Sequence, residues 1–165
     1  MKFNFLIVVV VGLCAATGAL AAGGSDTDTP SWGAAGEDPA VKSARAALAA
    51  GDYASAQTML KVALAGSPGN ADLNNLYAYA LRKGANPDMA TVFKYYGEAL
   101  RIDPKHRAAN EYIGEAYLMV NDPAKAKEHL AALDKLCFFG CTEYTDLKKA
   151  IAQFKANGNK YSSTY

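Results

Sequence analysis

Beyond residue 38 apolar residues recur three and four positions apart, and short polar or Gly/Pro-bearing stretches interrupt them. The stretch from Gly51 to Asn70, GDYASAQTMLKVALAGSPGN, sets the pattern. Ala56, Leu60, Ala63 and Leu64 share one helical face, Asp52 stands as a capping acid in front of it, and Ser67-Pro68-Gly69-Asn70 ends it. The same reading predicts helices over 39–50, 53–66, 71–83, 87–102, 106–120, 123–136 and 142–157. Asp38-Pro39, Asn86-Pro87 and Asp122-Pro123 each supply a cap followed by proline at a helix start. The last helix gathers Tyr144, Leu147, Ile151 and Phe154 on one face and keeps Lys148, Lys149 and Lys155 largely off it. It therefore reads as a terminal cap, apolar inside and polar outside.

The helices also repeat. Ala44 to Ala78 is 34 residues and Ala78 to Gly114 is 36; Ala56 to Val92 is 36 and Val92 to Ala126 is 34. The two additional residues must fall between Ala78 and Val92, in the turn-forming Lys83-Gly84-Ala85-Asn86-Pro87-Asp88, where an insertion costs little. Ala63-Leu64 and Pro68 return as Ala99-Leu100 and Pro104. A period of about 34 residues with small residues in fixed places marks stacked helical hairpins. Ala44, Ala56, Ala63, Ala78, Ala99, Gly114 and Ala126 would let neighbouring helices approach closely.

These residues resemble the tetratricopeptide repeat (TPR). The third copy follows its outline with Ile113-Gly114, Tyr117 and Ala126-x3-Leu130; the first has Ala44, Ala56-x3-Leu60 and Pro68; the second has Ala78, Val92-x3-Tyr96 and Pro104. The outline's Trp is absent from all three copies, only one has its Gly, and the third lacks the closing Pro. The resemblance implies an all-α, right-handed α-solenoid of three helix-turn-helix hairpins (37–70, 71–106, 107–136) with a capping helix over 142–157. It also implies a concave face lined by the first helix of each hairpin. Carried over by phase, that face holds Val41, Arg45 and Leu48, then Asn75, Tyr79 and Arg82, then Glu111, Glu115 and Leu118. A peptide with an acidic and a basic end would complement it; alternatively Arg45 and Arg82 pair with Glu111 or Glu115 across the stack. Val41 and Arg45 stand where a Lys/Asn carboxylate clamp would need its cation and amide, so that activity is not expected.

The N-terminus adds a destination. Lys2 precedes an apolar run from Leu6 to Leu20, and Ala19-Leu20-Ala21 is a small-x-small site, which reads as a secretory signal peptide cleaved after Ala21. A lipid anchor on Cys14 is disfavoured by Leu13, where a small residue is expected. Without the leader no integral membrane span is expected, and a Gram-negative periplasm is the expected compartment. Residues 22–38, with four acids and no base, read as a flexible acidic lead-in, and the sole Trp, Trp32, sits there either packed on the first helix or docked in the groove. Residues 158–165 read as a disordered polar tail. Of 17 basic residues Lys2 leaves with the leader, so 16 face 16 acids, a balance that gives no support for a nucleic-acid partner.

The leader leaves two cysteines, Cys137 and Cys141, in an oxidising compartment, and a disulfide between them is expected. Closing five residues would contribute about 2 kcal/mol through chain entropy. Leu136 to Tyr144, LCFFGCTEY, resembles the tail of small exported bacterial TPR proteins. The competing use of the pair is a thiol-based metal or redox site, with His129 as a further ligand. The C-x3-C spacing and the absence of a strand pattern weigh against thioredoxin-like chemistry. No phosphate-binding Gly loop, H-E-x-x-H or G-x-S-x-G is present. The functional expectation is a non-catalytic scaffold or assembly factor, without cofactor, that binds a protein or peptide on its concave face. Self-association through exposed aromatic residues near the cap is a further possibility.

Overall fold

A computed structural model describes residues 39–162. The leader and its cleavage site, Cys14, the acidic lead-in and Trp32 lie outside the described residues, as do positions 163–165. The described chain forms seven helices: α1 (Pro39–Ala49), α2 (Tyr53–Gly66), α3 (Ala71–Lys83), α4 (Met89–Ile102), α5 (Arg107–Met119), α6 (Pro123–Leu136) and α7 (Thr142–Ala156). Consecutive helices pack as antiparallel neighbours joined by short turns. The odd helices also touch one another, α1 with α3, α3 with α5 and α5 with α7, whereas no two even helices meet. The odd helices therefore form an inner layer and the even helices an outer one, the hairpin stack the repeat predicted.

Caps fix the boundaries. Asp52, Asn70 and Asp122 accept from the backbone N–H three residues on, at 3.0, 3.1 and 3.1 Å. The helix expected from Pro87 starts two residues later. Asp88, not Asn86, is its cap, accepting from Ala90 N at 3.1 Å and from Thr91 Oγ1 at 2.6 Å. The α3–α4 turn then has five residues where the α1–α2 and α5–α6 turns have three, which locates the two inserted residues. At the other ends one device recurs. Gly51, Asn121 and Gly158-Asn159 adopt positive φ, and the following amides reach back to carbonyls of the last turn, as Asp52 N to Ala47 O (2.9 Å) and Asp122 N to Tyr117 O (2.8 Å).

Packing follows the small positions. Ala44, Ala56, Ala78, Ala99, Gly114 and Ala126 are buried, while Ala63 is only half-buried. Val92, Tyr96, Ile113 and Ala116 fill the middle of the stack. Leu118, Ala126, Leu133, Leu147, Ile151 and Phe154 form a second cluster that seats α7 on the third hairpin. Among the described residues no helix is long and apolar enough to cross a membrane.

Candidate functional site

The inner layer brings Tyr79, Arg82 and Glu115 together, and three residues that the repeat phase did not select join them: Tyr112 from α5, Tyr96 from the outer helix α4 and Tyr161 from beyond α7. Arg82 lies at the end of α3 and Glu115 one turn from the end of α5, both almost fully buried. Arg82 Nη1 donates to Glu115 Oε2 at 2.7 Å, and Arg82 Nε donates to the Tyr96 hydroxyl at 3.3 Å. The guanidinium also sits 5.4 and 5.6 Å from the Tyr79 and Tyr112 ring centres. Burial works against its charge, but Tyr96, Glu115 and Tyr161 around it hold Arg82 well above its ordinary range. Tyr161 reaches the pair from beyond α7: its hydroxyl lies 3.3 Å from Arg82 Nη1 and 3.4 Å from Glu115 Oε2. The segment expected to fray thus turns back over 157–162, because Gly158 and Asn159 close α7 with an Asn159 N to Phe154 O bond of 2.9 Å.

The other predicted groove residues divide. Val41, Asn75, Glu111 and Leu118 are buried like Arg82 and Glu115, whereas Arg45, Leu48 and Tyr79 are half-buried. Leu118 belongs to the apolar cluster under α7, so it is packed against the cap and does not line a surface. Asn75 is fully buried, and among the described residues neither its amide nitrogen nor its oxygen has a hydrogen-bond partner. Arg45 lies 4.0 Å from Asp72. That aspartate also meets His106 Nε2 at 3.1 Å, a contact that holds the carboxyl below its ordinary range. His106 in turn caps α5, its Nδ1 accepting from Ala109 N at 3.2 Å, so the ring links two successive repeats.

Glu111 has the most altered carboxyl. Burial, together with Glu115, Asp146 and Glu143, pushes it up to about 9. Its folded value stands above the unfolded 4.5, so Glu111 contributes stability that is complete below that pH and is lost as the pH climbs towards about 9. Glu111→Gln is expected to flatten this slope. It should gain on the order of 5 kcal/mol over wild type near pH 8 and nothing near pH 4, read by urea unfolding at both pH values. A gain equal at the two pH values would show that amide packing, not proton binding, is responsible.

At the far end of the third hairpin Cys137 and Cys141 are bonded to each other, their Cα atoms 5.5 Å apart. The bond fixes the turn between α6 and α7, with Cys141 Sγ accepting from Tyr144 N at the start of α7. Phe138 and Phe139 stand out from this turn, 87% and 97% exposed. Among the described residues Glu143 is the carboxylate grouped with the two sulfurs, and sulfurs joined to each other have no thiolate to offer a metal. His129 is not part of that group. Its Nδ1 meets Asn110 Oδ1 at 3.0 Å and its ring stacks on Tyr117 at 5.7 Å.

A family model of the tetratricopeptide repeat matches residues 47–93, from the end of α1 into α4. No curated protein matches the chain.

Proposed function

The chain is a protein of the tetratricopeptide-repeat superfamily, and from that premise we propose that it is an exported, non-catalytic scaffold or assembly factor that binds a protein or peptide on its inner layer of helices. The observation that carries this reading is the run of ionic and aromatic contacts that joins α1, α3 and α5, from Arg45–Asp72 through Tyr79–Tyr112 to Arg82–Glu115. Arg45, Asp72, Tyr79, Arg82 and Glu115 lie on that layer, while α2 carries the exposed Val62. Tyr and Arg are frequent anchors of interfaces, and half-buried side chains such as Tyr79 and Arg45 have already lost part of the freedom that binding would cost. The reading includes export by the N-terminal leader to a periplasm, which is consistent with a disulfide in the α6–α7 turn.

The test is proximity labelling in the native compartment with the full chain. Arg45→Glu with Leu48→Asp alters half-buried positions of α1, and Val62→Asp alters α2 as a control. Neighbours lost with the first variant and kept with the second support the inner face. Neighbours that survive the α1 variant but vanish with Val62→Asp would move the binding surface to the outer layer. Arg82 is unsuitable for this purpose, since its pairing makes it part of the fold.

A further inference from the structure

The third polar group at the Arg82–Glu115 pair comes from the chain's own C-terminal segment, and its chemistry is selective. Arg82 Nη1 donates both to Glu115 and to the Tyr161 hydroxyl, while that hydroxyl, 3.4 Å from Glu115 Oε2, is placed to donate to the carboxylate. One atom must therefore accept from a guanidinium and donate to a carboxylate. A hydroxyl does both; an ammonium cannot accept, and a carboxylate cannot donate and would face Glu115. The ring behind the hydroxyl matters as well. Tyr161 packs on the cluster formed by Leu118, Leu147 and Phe154, so the site needs a flat apolar spacer between backbone and hydroxyl. Serine is too short to supply it and phenylalanine lacks the hydroxyl.

The attachment is also slight. After the turn at Gly158-Asn159, Tyr161 is the segment's one polar link to α3 and α5 among the described residues; the Asn157 Nδ2 to Ser162 Oγ bond (3.1 Å) stays within the segment. Lys160 and Ser162 are exposed. Residues 160–162 can therefore leave without unravelling α7, whose end is closed separately by the Asn159 N to Phe154 O bond.

We propose that Arg82 and Glu115, with the Tyr79, Tyr96 and Tyr112 rings around them, form a subsite for a tyrosyl side chain, that Tyr161 is its resident occupant, and that a partner peptide enters by presenting its own tyrosine in place of Tyr161. This assignment rests on the inner-face reading and gives it a specific chemistry: a tyrosine in a flexible polar segment. The cis segment then sets a threshold, because a tethered group competes at an effective concentration on the order of millimolar.

The experiment uses the full chain and a synthetic peptide of residues 157–162 carrying fluorotyrosine at the tyrosine, followed by fluorine NMR. Saturable binding to the Tyr161→Ala chain is expected, at least ~10-fold weaker to wild type, where the cis tyrosine competes. The same peptide with phenylalanine should not compete. Equal affinity for wild type and Tyr161→Ala, or no saturable binding to a Tyr161→Ala chain that retains its helicity, overturns the subsite. Tyr161→Phe covers the case in which the alanine chain misfolds. Amide exchange over 158–162 should quicken several-fold with α3 and α5 unchanged, and unchanged exchange in the tail counts against the proposal. Because the probe reads the pocket directly, a positive result stands even where proximity labelling rejects the inner face, and a negative one leaves that face to be used by other residues.

Discussion

Arg82→Ala is expected to cost about 3–5 kcal/mol of folding stability, measured by urea unfolding followed through helical circular dichroism. The size comes from what the guanidinium leaves behind. Side chains of Arg82 and Glu115 are 2% and 3% exposed, so deletion strands a carboxylate without its hydrogen-bonded cation and with little water. The Tyr96 hydroxyl, fully buried, loses its donor in the same step. Two comparisons separate this cause from simple loss of volume. Arg82→Met with Glu115→Leu together should recover most of the loss, because an apolar pair removes both charges at once. Arg101→Ala should cost far less, since Arg101 and Glu98 form an equally short 2.7 Å pair whose arginine is 70% exposed. A double variant as unstable as Arg82→Ala alone would place the loss in packing.

That contrast also explains which parts of the molecule were legible in the sequence. Local signals were enough for the helices: Asp52 and Asp122 act as caps where the pattern put them, and the inserted residues sit in the turn after Lys83. Asn86-Pro87 misled by two residues because Asp88 satisfies two donors at once, a bond that spacing alone does not rank. The phase of the repeat put Tyr79, Arg82 and Glu115 on one face, but a phase gives direction and not depth. It could not tell half-buried Arg45 from buried Arg82, because depth depends on neighbours far along the chain. Tyr96 is 14 residues from Arg82 and Tyr161 is 79. A signal for Tyr96 was present, since the tyrosine fills an apolar repeat position and its buried hydroxyl needs a partner. Tyr161 had none: a polar tail reads as frayed until the Gly158-Asn159 turn aims it back.

The second large effect concerns the cap. Leu147→Ala is expected to cost about 2–5 kcal/mol, because Leu147 is fully buried and joins α7 to α5. Its counterpart is Gly114, where an added Cβ would lie 2.6 and 2.8 Å from the two Leu147 methyls. In the earlier copies Ala44 and Ala78 hold the equivalent position without exposure, so alanine itself is compatible with the repeat. The third copy differs because its inner neighbour is the cap, which brings a leucine against the α5 backbone. Gly114→Ala should therefore destabilise by about 1–3 kcal/mol through overpacking, despite the ~1 kcal/mol that alanine gains over glycine within a helix. Gly97→Ala isolates that gain: Gly97 is inside α4 with nothing within 4 Å of a new Cβ, and up to about 1 kcal/mol of added stability is expected. Combining Gly114→Ala with Leu147→Ala decides the argument. The new methyl then occupies part of the space the leucine vacated, so the double variant should be more stable than the sum of the single losses by about 0.5–3 kcal/mol. Additive losses would mean that the two positions act independently, and that the cap docks through Ile151 and Phe154 without the close approach at Gly114.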